Sequence, residues 1–107
     1  MKHTILFALS LALAGTVVAT SADAAWATHH PRRAEVNARL AHQYHRVMMK
    51  RREGELTGRQ AHFLHAEDRG IRAQERFYAS RDDGHITHAE QVRLNHEENA
   101  VSHQIGR

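Results

Sequence analysis

Beyond residue 30 the apolar positions recur at intervals of three and four residues, the period of a helix with one buried face. Val36, Leu40, Tyr44, Val47 and Met48 form one stripe. Phe63, Leu64, Ile71, Phe77 and Tyr78 form a second, and Leu94, Val101 and Ile105 a third. The spacing predicts helices over about 32–52, 58–80 and 88–105, within one helical repeat domain spanning 32–107. No alternating run calls for a sheet, although Leu56 and Ile86 are placed to pair as one-residue bridges. The expected fold is all-α, a small bundle of about three helices joined by Gly-containing turns.

The helix starts have a local cause. Thr57-x-x-Gln60 and Thr87-x-x-Glu90 are capping boxes, in which the Thr oxygen takes the amide of the third helical residue and that residue's side chain returns to the Thr amide. Gly54 and Gly84 free the backbone of each preceding turn, and Pro31 suits the first turn of the earliest helix. An offset of 30 residues carries Gly54-Glu55-Leu56-Thr57 onto Gly84-His85-Ile86-Thr87. The match continues through Leu64/Leu94, Glu67/Glu97, Asp68/Glu98 and Ile71/Val101. A partial third copy pairs Arg39–Gln43 with Arg93–Glu97, an offset of 54. Such self-similarity implies stacked helical units. Gln60, Glu67, Glu90 and Glu97 lie on or beside the stripes, which predicts hydrogen bonds between helices.

The first residues read as an address. Met1-Lys2-His3 is basic, Ile5 to Ala14 is a ten-residue apolar run, and Ala22-Asp23-Ala24 is the small-x-small pattern of a signal-peptide cleavage site. A spanning helix needs ~20 apolar residues, so the run predicts a cleaved export signal over 1–24 and a mature chain without a membrane span. The mature protein is then periplasmic or secreted, and begins with a flexible segment over 25–31.

Composition narrows the chemistry. The chain has 107 residues and no cysteine, which excludes disulfide staples, thiolate metal sites and a cysteine nucleophile. Burying a large apolar side chain contributes roughly 1.5–3 kcal/mol, whereas ordering the backbone costs about 1–2 kcal/mol per residue. Three thin stripes therefore predict a homodimer, a ligand or partial disorder. Residues 25–81 carry 12 basic and 6 acidic groups, and residues 82–107 carry 2 and 5. The basic half suits an anionic envelope surface. Export and the lack of a recognition motif argue against nucleic acid. With no His-Glu-x-x-His, Gly-x-Ser-x-Gly or phosphate loop, the sequence predicts a protein that is not an enzyme.

Histidine is the outlier, with eleven in the chain. His42/His45, His62/His65 and His85/His88 are His-x-x-His pairs, and positions i and i+3 share a helix face. Neutral imidazole suits copper, nickel and zinc. His42, His45 and Met49 fall together opposite the first apolar stripe, where a thioether favours copper(I) or silver(I). His85 and His88 flank a turn beside Asp82 and Asp83, whose charge favours a cation. The candidate metal ligands are thus His42, His45, Met49, His85, His88 and Asp83. His62 and His65 share their face with Arg69, Arg72 and Arg76, which oppose one. His29-His30 adds flexible ligands, and His96 and His103 share the outer face of the third helix.

Asp83-Gly84-His85-Ile86-Thr87-His88-Ala89-Glu90 resembles the second half of an EF-hand loop, which implies a paired helix–loop–helix and Ca²⁺ binding. Ala79 and Arg81 stand where that family places acids, and Gln60 replaces the final Glu in the earlier copy, so Ca²⁺ is the least favoured ion. Leu56-Thr57-Gly58-Arg59-Gln60, with Ile86-Thr87-His88-Ala89-Glu90, is similar to the LTxxQ motif of Spy-like periplasmic proteins. That resemblance implies a helical dimer that holds unfolded clients or senses envelope stress. Over residues 35–105 the chain more closely resembles small exported bacterial proteins of unknown function with Gly-x-Leu/Ile-Thr-x-x-Glu/Gln repeats, a likeness that implies no activity. The leading expectation is an exported His-rich helical protein that binds transition-metal ions as a buffer or resistance accessory. The alternatives are an LTxxQ-like envelope-stress or client-binding module and a weak Ca²⁺ binder.

Overall fold

The computed structural model describes residues 22–106, so most of the expected export signal lies outside the described residues. Residues 22–29 are helical. Three helices follow: α1 over Pro31–Arg52, α2 over Gly58–Ser80 and α3 over His88–Ile105. Each packs on the other two. The all-α expectation holds, and the boundaries lie where the capping signals placed them. His30 leaves helical geometry (φ −133°, ψ 57°), and Pro31 opens α1. Thr57 Oγ1 accepts from the Gln60 amide at 3.0 Å while Gln60 Oε1 accepts from the Thr57 amide at 2.8 Å. Thr87 and Glu90 repeat the arrangement at 3.1 and 2.9 Å.

Gly54 (φ 80°) and Gly84 (φ 89°) occupy the left-handed region that reverses the chain before each box. Among the described residues Leu56 and Ile86 form no bridge. They turn inward instead and close the two ends of the core, 9% and 2% exposed. Among the described residues no helix is long and apolar enough to cross a membrane.

Burial follows one rule in all three helices. Val36, Leu40, Gln43 and Val47 on α1 share a four-three-four spacing with Leu64, Asp68, Ile71 and Glu75 on α2. Leu94, Glu98, Val101 and Ile105 repeat it on α3. This is the seam of a bundle packed by interleaved side chains. The offset of 30 residues therefore relates inward positions as well as turns.

The seam corrects part of the expected core. Tyr44 (49% exposed), Met48, Phe63 and Phe77 (each 56%) face outward, although hydrophobicity assigned them inward. On α2 the seam admits Leu64 and Ile71, whereas Phe63 stands one position from it and Phe77 two. The polar residues shift by one position as well. Gln60 is exposed, and Glu67, Glu90 and Glu97 are half-buried. Gln43, Asp68, Glu75 and Glu98 are the buried polar side chains. Glu97 does bond between helices, accepting from Gln74 Nε2 at 2.6 Å.

Candidate functional site

Two kinds of chemistry-bearing residue separate in space: buried carboxylates line the seam, and histidines lie over the surface. At one end of the bundle Arg33 on α1 makes a two-pronged pair with Glu75 through Nε to Oε2 and Nη2 to Oε1. Arg72 approaches the same carboxylate at 3.9 Å. Arg33 also donates to the Gly84 carbonyl at 3.4 Å, and Arg32 to the Ile86 carbonyl at 3.3 Å. The start of α1 is thereby tied to the α2–α3 turn.

Farther along the seam the compensation is thinner: Arg39 approaches Glu98 Oε1 at 3.8 Å, and among the described residues Asp68 has no cationic partner. Asp68 Oδ1 and Oδ2, Glu98 Oε2 and Gln43 Oε1 are buried without a hydrogen-bond partner. Gln43 Nε2 donates to the Glu98 carbonyl at 2.7 Å. With its amide nitrogen turned toward them, Asn95 donates to Glu98 Oε1 (2.9 Å) and Glu35 Oε1 (3.2 Å). The orphans are all acceptors, so the missing partner is a donor, and a proton on a carboxyl supplies one. Burial pushes the Glu98 carboxyl up to about 8; Arg39 opposes the shift, and Glu35, Asp68 and Glu97 add to it. Burial, with Glu67 beside it, raises Asp68 to about 6.

Asp68 also lines an open groove of about 530 Å³ between α1 and α2, with Leu40 and Asn37 along its base and Arg69 and Arg72 at its edge. Tyr44 and His65 pack ring on ring along it, centroids 4.0 Å apart. Burial, Arg69 and His62 together lower the His65 pKa, which favours the neutral ring. Arg69 and Arg72 bring positive charge to this groove.

The other histidines sit where ions have access. His42 and His45 are exposed on successive turns of α1, with half-buried Met49 one turn further along. His85 and Asp83 are exposed in the α2–α3 turn, where Asp83 adopts φ 53°. His88 is the exposed first residue of α3. Glu90, the last ligand position of the EF-hand-like stretch, spends one carboxylate oxygen on the Thr87 amide.

The structure brings together one pair that spacing did not reveal. His30 and His85 stack with centroids 4.8 Å apart and planes 17° from parallel, and Trp26 covers the other face of His30 at 4.7 Å. His30 Nδ1 lies 3.0 Å from the Trp26 carbonyl. A carbonyl only accepts, so Nδ1 carries the proton and Nε2 keeps the lone pair of the neutral ring. That contact links residues 55 positions apart, and no periodicity encodes it. Among the described residues no three His, Cys, Asp or Glu side chains gather around one ion position. Compared with protein-family models, curated proteins and solved structures, the chain matches none.

Proposed function

We propose that this is an exported, non-catalytic helical protein that binds copper, nickel or zinc ions reversibly through surface imidazoles, as a buffer or resistance accessory. The observation that carries this reading is the His30–His85 pair, with Asp83 and His88 exposed in the same turn region. The Trp26 carbonyl fixes the tautomer of His30 and leaves Nε2 as the ligand atom, as an outer partner does for metal-bound imidazole. Stacked rings hold their lone pairs side by side, so a shared ion requires His85, exposed in its turn, to rotate toward His30. His42, His45 and Met49 on α1 form a second station, with the thioether suited to copper(I).

Two or three protein ligands leave coordination positions open to water. Exchange is then fast, as a buffer needs. Because only the neutral ring binds, affinity falls as pH drops through the imidazole range.

Isothermal titration of the full chain with Cu²⁺, Ni²⁺ and Zn²⁺ tests the proposal. Replacing His30→Ala with His85→Ala is expected to weaken the tighter step at least ten-fold, and His42→Ala with His45→Ala the second step. Binding no stronger than that of an unstructured peptide of the same histidine content would overturn it.

A further inference from the structure

The outward face of α2 combines exposed aromatic side chains with arginines. The acids of this helix are Glu67, Asp68 and Glu75; the last two are buried and the first is half-buried. Every fully exposed position of α2 is therefore aromatic, basic, small or neutral. Phe63 and Phe77 are each 56% exposed, the largest exposures among the outward apolar side chains. They stand 14 residues apart on one face, about 21 Å along the axis at 1.5 Å per residue. Between them Ala66, Gly70 and Ala73 are exposed, and half-buried Glu67 and Gln74 border the line on its α3 side. Nothing stands within 4 Å of the position a Cβ would take at Gly70.

Cations stand along its α1 side and at its two ends. Among the described residues Arg59, Arg69 and Arg76 enter no ion pair, whereas Arg33, Arg39 and Arg72 do. The Arg81 guanidinium lies 5.5 Å from the centroid of the Phe77 ring. Two isolated aromatic anchors, a smooth channel between them and unpaired guanidinium groups along its α1 side and at its ends suit an anionic partner.

A second copy of this chain does not fit. The face has no exposed acid, so self-pairing sets arginine against arginine or against neutral groups. A protein groove fits less well than a lipid surface, because protein interfaces have a contiguous apolar centre, and here the centre is glycine and alanine. We infer that α2 lies flat on an anionic phospholipid bilayer, with Phe63 and Phe77 entering the acyl boundary and Arg59, Arg69 and Arg76 on the phosphates. Helices that rest on a membrane combine apolar insertion with basic residues in this way, and arginine stems lie along apolar surface while their heads stay at the phosphates. This inference stands apart from the metal reading, since it uses none of the histidine stations.

Vesicle co-sedimentation tests it, on the form of the protein that accumulates in expressing cells, its N-terminus read by mass spectrometry. Vesicles of phosphatidylcholine with one-quarter phosphatidylglycerol are expected to pellet the protein at least ten-fold better than phosphatidylcholine alone. Half-molar salt should remove most of that difference. Phe63→Ala with Phe77→Ala, and separately Arg69→Gln with Arg76→Gln, should each lower the partition coefficient at least five-fold. Gly70→Glu separates binding from folding: the site has room and glutamate favours helix over glycine, so Tm should rise while binding to anionic vesicles falls.

Equal pelleting by both lipids, or retention of binding in Gly70→Glu, overturns the inference. Binding to polyglutamate without binding to vesicles also overturns it, in favour of an acidic polypeptide. So does a dimer in sedimentation velocity that Phe63→Ala with Phe77→Ala dissociates.

Discussion

Asp68 and Glu75 sit on the same face of α2, seven residues apart, both almost wholly buried, yet their surroundings differ. Glu75 meets Arg33 through two hydrogen bonds, with Arg72 behind. Asp68 meets no donor, and the neighbouring Glu98 leaves one oxygen bare. The same side-chain chemistry thus serves two purposes. At the Glu75 end a fixed ion pair clamps the start of α1 to α2. In the Asp68–Glu98 layer burial favours the protonated carboxyls, which ties stability to pH.

Removing Arg33 should break the first half of this contrast with the largest effect. Arg33→Ala leaves Glu75 buried without its principal partner, a change that typically costs about 3–5 kcal/mol. Urea denaturation at neutral pH measures it. A loss below about 1 kcal/mol, the range of surface pairs, would show that the clamp is ornamental.

The second half is tested by pH. Both acids have native pKa values above their unfolded ones: Glu98 about 8 against 4.5, and Asp68 about 6 against 3.8. The native state therefore holds more protons between about pH 4 and 8, and stability falls as pH rises through that window. His65, with its pKa lowered, opposes this below about its ordinary 6.5. Melting temperature should drop between pH 6 and 9, by roughly 4–8 °C for each kcal/mol in a domain this small. Glu98→Gln should flatten the curve. A wild-type profile that is level, or one whose slope survives in the variant, would refute the protonated layer.

The smallest effect concerns the turns, which the two repeats share even though their cores differ. Thr57→Ala and Thr87→Ala should each cost about 1 kcal/mol, with little difference between them. A marked inequality in thermal melts would mean that the polar layers reach into the turns.

These contrasts explain what was legible in the sequence. Capping boxes, glycines and a 30-residue offset act over a few residues, so helix boundaries and the Asp68/Glu98 equivalence could be read directly. The inward orientation of those acids could not, because burying a carboxylate is ordinarily too costly for pattern reading to expect it. The four-three-four spacing, counted without regard to polarity, was the signal that would have found it. Phe63 and Phe77 misled for the opposite reason: hydrophobicity suggests a core position, but their angle around α2 is set by Leu64 and Ile71. Of the candidate ligands, the exposed stations on α1 and at the α2–α3 turn followed from helical spacing. The approach of His30 to His85 depends on Arg32 and Arg33 holding two distant segments together, and no local pattern carries it.

The turns have one more consequence. The segments joining the helices are five residues (53–57) and seven residues (81–87) long, and each ends in a capping box built from side chains four positions or fewer apart. Helical bundles whose contacts lie close in sequence reach the native state in microseconds to milliseconds. A chain without cysteines has no disulfide to form and so adds no slow oxidation step to this assembly.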